Sequence, residues 1–286
     1  MIGLGTNRLS ASRLAGLGEW GQTRCGQMIE GRGSWYDPSP YSAAATRALK
    51  AAFPAQWATI RDYGFAHPEI VGYMNAYAVE DAKIAYSLVE GIGTRWIVKS
   101  GTAWFNTKFT PLAFPLNLKF KWAWSSHGGE NDFFGNFNGS HGTSEIFVSG
   151  GNGNSWYQWA GGAWTFGSIA DGTVYVGEFE YTAATGRKAI INGTTYTSTQ
   201  SNNSICRNPN EPIGLFSGAG TRDYCGATGK MAYAKITCGG ELVREMYPFI
   251  RKINGVDTLG MIDVKNGVFY QKQGTGTFTE LIDSPS

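Results

Sequence analysis

The chain has 286 residues, a formal net charge of +2, 16% charged residues, 14% aromatic residues and 40 glycines. That length can bury a hydrophobic core without disulfides or metals, and the scarcity of charge beside many turn and aromatic residues suits short, half-buried strands better than solvated helices. No run of Lys or Arg builds the footprint that nucleic-acid binding requires, and no apolar stretch approaches about 18 residues, so nucleic acid and membrane insertion are excluded as expectations. The four cysteines, Cys25, Cys206, Cys225 and Cys238, lack the paired two-residue spacings of zinc sites. Buried thiols are the expectation, with a Cys206–Cys225 pairing left open.

The lead, MIGLGTNRLSASRLAGLGEWGQ, has no uninterrupted apolar core of signal-peptide length, which points to synthesis in a cytoplasm. Its Leu4, Leu9, Leu14, Leu17 and Trp20 lie among glycines with no period of 3.6 or 2. Such a segment orders only against a partner surface, and these five residues are the expected attachment contacts. A helix is predicted from about Ser42 to Phe53, with Ser42 as N-cap, an alanine-rich body and Pro54 as the break. A second is predicted from Pro54 to Asp62 with Gly64 as its stop, and a third from Met74 to Val89. Residues 1–95 are therefore read as an attachment and assembly region, an extended lead plus short helices.

Beyond residue 95 the period becomes two. Leu116, Leu118, Phe120, Trp122 and Trp124 fall on one face of a strand, with Asn117, Lys119, Lys121 and Ala123 on the other. Tyr175 to Tyr181 alternates likewise, Asn192-Gly193 marks a hairpin after Lys188–Ile191, and Lys265-Asn266-Gly267 marks another between Met261–Val264 and Val268–Gln271. Strands at this spacing without interleaved helices indicate an antiparallel sandwich over residues 96–286.

The stretch from Ala234 to Glu280 carries a run of distinctive residues: Gly240, Leu242, Val243 and Arg244; Pro248 and Arg251; Gly260, Met261 and Asp263; Phe269 and Tyr270; and Gly274 to Phe278. In order and spacing it resembles the closing segment of concanavalin A-like, laminin G-like modules of phage and prophage virion proteins. Leu88 to Asn106 resembles the family's opening strands and Phe133-Phe134-Gly135 its central strand, so the resemblance covers about residues 90–283. The chain departs from the pattern in lacking a cysteine near Pro248 and in a longer loop at Ile253 to Thr258. The resemblance implies a jelly-roll sandwich appended to virion or adhesive proteins, without implying one activity.

Glycosidases of related folds place carboxylates as Glu-x-Asp-x-x-Glu, and retaining chemistry needs two of them about 5 Å apart. Here Glu130-Asn131-Asp132-Phe133-Phe134-Gly135 ends in glycine, which removes the acid/base. Glu178 and Glu180 share a strand face, read as solvated, and His67, His127 and His141 suggest no triad. The chain is therefore expected not to be an enzyme, and to need no cofactor other than calcium, which laminin G-like modules often hold at the rim. Asp132, Asn136, Asn138 and Asp171 are the candidate ligands, against a plain reading as turn residues. Trp156, Tyr157, Trp159 and Trp164 crowd a Gly/Asn-rich stretch and are the candidate ligand-binding residues, with subunit contact and core packing as competing roles. The expected function is a bacteriophage structural protein, a decoration or fibre component that assembles with other virion proteins and with copies of itself. The alternative is a lectin-like adhesin for host-surface glycan.

Overall fold

The computed structural model describes residues 38–80, 82–86, 95–127, 131–136, 147–151, 155–159, 162–183, 185–201, 211–221, 223 and 226–282. The expected attachment residues Leu4, Leu9, Leu14, Leu17 and Trp20 lie outside them, as do Cys25, Cys206, Cys225, Glu130 and Asn138. Among the described residues no helix is long and apolar enough to cross a membrane.

Helices come first: α1 (Ala43–Ala52), α2 (Trp57–Ala66), α3 (Pro68–Glu80) and α4 (Ala82–Tyr86). Helix α1 starts where expected, because the Ser42 hydroxyl accepts from the Ala45 amide. Helix α2 starts and ends later than expected. Residues 54–56 form a turn, and the helix runs through Gly64 to stop before Pro68. Gly64 is not a stop signal but a close approach, since a Cβ there would collide with the Tyr41 ring, whose hydroxyl donates to Ile60 O at 2.7 Å. The third predicted helix is displaced as well, becoming α3 and α4, because Pro68 serves as a helix start.

The strands follow as β1 (Arg95–Ser100), β2 (Phe105–Asn106), β3 (Leu116–Ser126), β4 (Asn131–Gly135), β5 (Phe147–Gly151), β6 (Ser155–Trp159), β7 (Ala163–Phe166) and β8 (Val174–Tyr181). Then come β9 (Thr185–Ile191), β10 (Thr194–Ser201), β11 (Gly214–Leu215), β12 (Thr228–Cys238), β13 (Glu241–Ile253), β14 (Val256–Asp263), β15 (Val268–Gln271) and β16 (Thr277–Ile282). Among the described residues they make a ten-stranded sheet, β10-β9-β8-β3-β12-β13-β14-β15, and a six-stranded one, β2-β11-β4-β5-β6-β7. Strands β1 and β16 extend the large sheet from the first half of β12, whose second half pairs with β13. Every strand pair is antiparallel. The region expected as a longer loop at Ile253 to Thr258 is instead a tight hairpin, because Asn254 and Gly255 both take positive φ, 52° and 83°.

Between the sheets lies an aromatic core. Phe120, Trp122 and Trp124 on β3 are buried as the alternation predicts, with Trp122 stacked on Phe133 at 4.9 Å and set edge-on to Trp124 at 5.2 Å. The large sheet is apolar on both faces at β12 to β14: Met246 and Met261 enter this core, while their neighbours Tyr247 and Ile262 point the other way. That outer face is covered by the helices, with Leu49, Ile60, Ile70 and Met74 sharing a second core with Tyr233, Tyr247, Phe249, Ile262 and Val264. Residues 43–86 thus find a packing partner within the chain itself. A polar network closes the layer: the Tyr247 hydroxyl donates to Glu245 Oε1 at 2.7 Å and lies 3.2 Å from the Tyr63 hydroxyl, and Lys235 pairs with the same carboxylate at 3.1 Å.

Candidate functional site

The two sheets approach each other along one side of the sandwich, where β15 ends the large sheet and β2 ends the small one. A backbone bridge joins them at one point, with the Gln273 amide donating to Trp104 O at 2.8 Å and the Trp104 amide donating back at 3.4 Å. Beside that bridge opens a groove of about 440 Å³, with Asn106 and Lys108 on one wall and Phe269, Gln271, Lys272 and Gln273 among the residues of the other.

Both walls are fixed from behind. Lys108 is held in the left-handed region, φ 51°, and its amide donates to the Asn106 side chain at 2.7 Å. Arg244 on β13 ties this segment down, donating through Nε to Thr107 O at 3.0 Å and through Nη2 to Lys108 O at 3.3 Å, with its guanidinium over the Phe109 ring. On the other wall, Tyr270 points into the core while Gln271 is exposed, as strand alternation requires. Burial raises the Tyr270 phenol above its ordinary 10.0, with the positive charge of Arg244 working against that and Asp263 adding to it. Asp263 is fully buried, accepts from the Glu245 amide at 3.0 Å and from Asn266 at 2.7 Å, and lies 3.6 Å from Arg244. Arg244, Asp263 and Tyr270, three markers of the sequence resemblance, therefore converge behind the groove. At its end the Lys272 ammonium donates to Gly274 O at 3.1 Å, and Gly274, φ 79°, passes so close to Trp104 that a side chain would collide with that ring.

The residues expected to bind ligand do not form this site. Trp156 is fully buried, surrounded by Phe120, Trp124, Phe133, Tyr175 and Phe179, so it is a core residue and not a surface for stacking. Trp164 is half-buried against Phe166, with ring centroids 4.2 Å apart. Tyr157 and Trp159 lie on β6, paired with Ser149 and Phe147, and their side chains are outside the description. The buried neighbour on that strand is polar. Gln158 is enclosed beside Arg187, whose guanidinium donates to Gln158 O at 3.4 Å and Gly162 O at 2.8 Å.

Three of the four calcium candidates are among the described residues. Asp132 and Asn136 are buried on and just after β4, with the Asp132 carboxylate packed against Gly218, whereas Asp171 is exposed in the β7–β8 connection and meets His127 Nδ1 at 2.5 Å. Among the described residues no three His, Cys, Asp or Glu side chains stand together as a metal set. The paired carboxylates of β8 are engaged on the outer face, Glu178 with Lys119 at 3.4 Å and Asn117, and Glu180 with Lys188 at 3.8 Å.

The groove escaped the sequence reading because it joins residues about 160 positions apart in the chain. The one local signal is Gln271-Lys272-Gln273, three polar residues directly after an aromatic pair.

Among solved structures, the fold resembles a Bacteroides ovatus protein provisionally assigned as carbohydrate binding, with a TM-score of 0.50 and 12% identity over 67% of this chain and 61% of that one. The chain is a jelly-roll β-sandwich. It spans less than two thirds of that protein's length. A heptameric pentraxin from Limulus polyphemus matches at TM-score 0.39 and 9% identity over 51% of this chain and 76% of that one. A scytalido-glutamic peptidase matches at TM-score 0.29 and 13% identity over 56% and 91%. Neither of those two scores bears on what this chain does. No protein-family model and no curated protein matches the sequence.

Proposed function

We propose that this chain is a lectin-like module that holds saccharide in the groove between β2 and β15. The observation that carries the reading is the lining of that groove: the amides of Asn106, Gln271 and Gln273 for sugar hydroxyls beside the partly buried Phe269 ring. Directional polar groups set around an apolar surface are what carbohydrate recognition requires. The assignment given to the Bacteroides ovatus protein of similar fold supports it. A glycan array probed with the full chain, with and without calcium, tests the reading. Bound glycans released by Gln271→Ala and Asn106→Ala are expected, and an array without a bound glycan would sink it.

A displayed role on a phage particle is the second reading, and it rests on the resemblance of Ala234 to Glu280. That segment supplies the second half of β12 and all of β13 to β15, including one wall of the groove. Mass spectrometry of purified virions decides it, since absence of the chain from them removes the particle setting.

A further inference from the structure

We infer that the groove between β2 and β15 selects acidic saccharides, those bearing a carboxylate or sulfate. This rests on the carbohydrate reading above and adds the charge of the ligand. Two of the lining residues, Lys108 and Lys272, are cationic, and none is Asp or Glu, so a chain of net charge only +2 concentrates two positive charges in one cleft. They stand on opposite walls, one beside β2 and the other just after β15. Arg244 adds a third cation behind the Lys108 wall, where it is spent on main-chain carbonyls.

The carboxylate behind the groove does not cancel them. Asp263 is fully buried and satisfied by Asn266, the Glu245 and Lys265 amides and Arg244. A neutral sugar would offer neither ammonium group a counter-charge. A uronate or sulfated sugar pairs its anion with them while its hydroxyls meet Gln271, Gln273 and Asn106. An anionic group is the chemistry common to both sources, and separate probes distinguish them.

The test uses the full chain, with binding measured by calorimetry to polygalacturonate, its methyl ester, a sulfated galactan and the desulfated galactan. At least one acid form is expected to bind about tenfold more tightly than its neutral counterpart, and more weakly as salt rises. Lys108→Gln and Lys272→Gln should each weaken that binding roughly three- to tenfold, as the loss of one exposed ion pair does, with melting temperatures unchanged. Lys188→Gln removes the same charge from β9, near the opposite end of the large sheet from β15, and should leave binding as it was. Equal affinity for charged and neutral forms, or equal loss in Lys188→Gln, would overturn the charge assignment and leave saccharide binding standing. Polyglutamate bound as tightly as polygalacturonate would overturn the saccharide class. Binding to none of the probes nor to any arrayed glycan would remove both readings together.

Discussion

The fragment 96–286 is the most informative perturbation, because the helices and the sandwich share a core. Cutting away α1 to α4 bares Tyr233, Tyr247, Phe249, Ile262 and Val264, which are 5%, 1%, 0%, 3% and 3% exposed in the whole chain. Burial of one such side chain is worth about 1.5 to 3 kcal/mol, so the five account for about 7 to 15 kcal/mol, or about 5 to 12 after allowing for a compact unfolded state. The helices' own burial is roughly offset by the entropy of ordering them, which leaves the sheet-side term as the net loss. A loss of that size compares with the total stability of an ordinary domain, about 5 to 15 kcal/mol. The fragment also exposes Glu245 and Tyr247 without Tyr63. We therefore expect 96–286 to melt at least about 10 °C below the full chain, to bind a hydrophobic dye and to self-associate on size exclusion. Sequence alone favours the opposite outcome, a sandwich that closes its own core and is soluble by itself. A monomeric fragment that excludes the dye and melts within a few degrees of the parent would refute the reasoning.

Trp122→Ala, which empties a fully buried site between Trp124, Phe133 and Phe216, should cost about 3 to 5 kcal/mol in chemical denaturation. An unchanged midpoint would place Trp122 outside the core. Gly177→Ala puts a methyl into the Phe120 ring and within 2.9 Å of Ile191, and should destabilise by about 1 to 3 kcal/mol, read in the same way. Alkaline pH should unfold the chain. Burial raises the phenols of Tyr41, Tyr181 and Tyr247 above 10.0, so the folded state keeps protons that the unfolded state releases, and stability falls as pH climbs past that value. Lys99 acts in the other direction, because burial lowers its ammonium below 10.5 and the cost of its charge is relieved on the same climb. Three phenols against one amine leave a net loss, visible as phenolate absorbance that rises together with unfolding. Phenolate absorbance reaching the full value of all 14 tyrosines before unfolding would contradict the burial of these groups.

The sandwich was legible where one face is plainly apolar. On β3 the inward residues are Leu116, Leu118, Phe120, Trp122 and Trp124 and the intervening ones are mostly polar, so alternation alone orients the strand. The Asn192-Gly193 turn was equally plain, as both residues need positive φ, 47° and 82°. Strand β6 defeats the same argument. Ser155-Trp156-Tyr157-Gln158-Trp159 has aromatics on both alternations, and Gln158 is buried with Trp156, Arg187 accompanying it into the interior. Apolar counting does not foresee a buried glutamine there. Helix α2 was misplaced by a similar ambiguity, since glycine reads as a stop unless the aromatic that demands its small size is known, and Tyr41 lies 23 residues earlier. The groove was out of reach because no local pattern announces that Asn106 and Gln271 will face each other.

The placement of the helical layer has a consequence for how the chain is made. Helices α1 to α3 leave the ribosome before β1 to β16, yet the surface they cover belongs to β12, β13 and β14. Tyr63 waits 182 residues for Glu245 and 184 for Tyr247. Strand β3 likewise has its long neighbour β12 more than a hundred residues downstream. Synthesis therefore exposes an apolar helical face and an unpaired tryptophan-rich edge while more than a hundred further residues are added, and the slow, non-local closure that ends this exposure follows them. Recovery of folded protein should then be governed less by final stability than by what shields those surfaces in the interval.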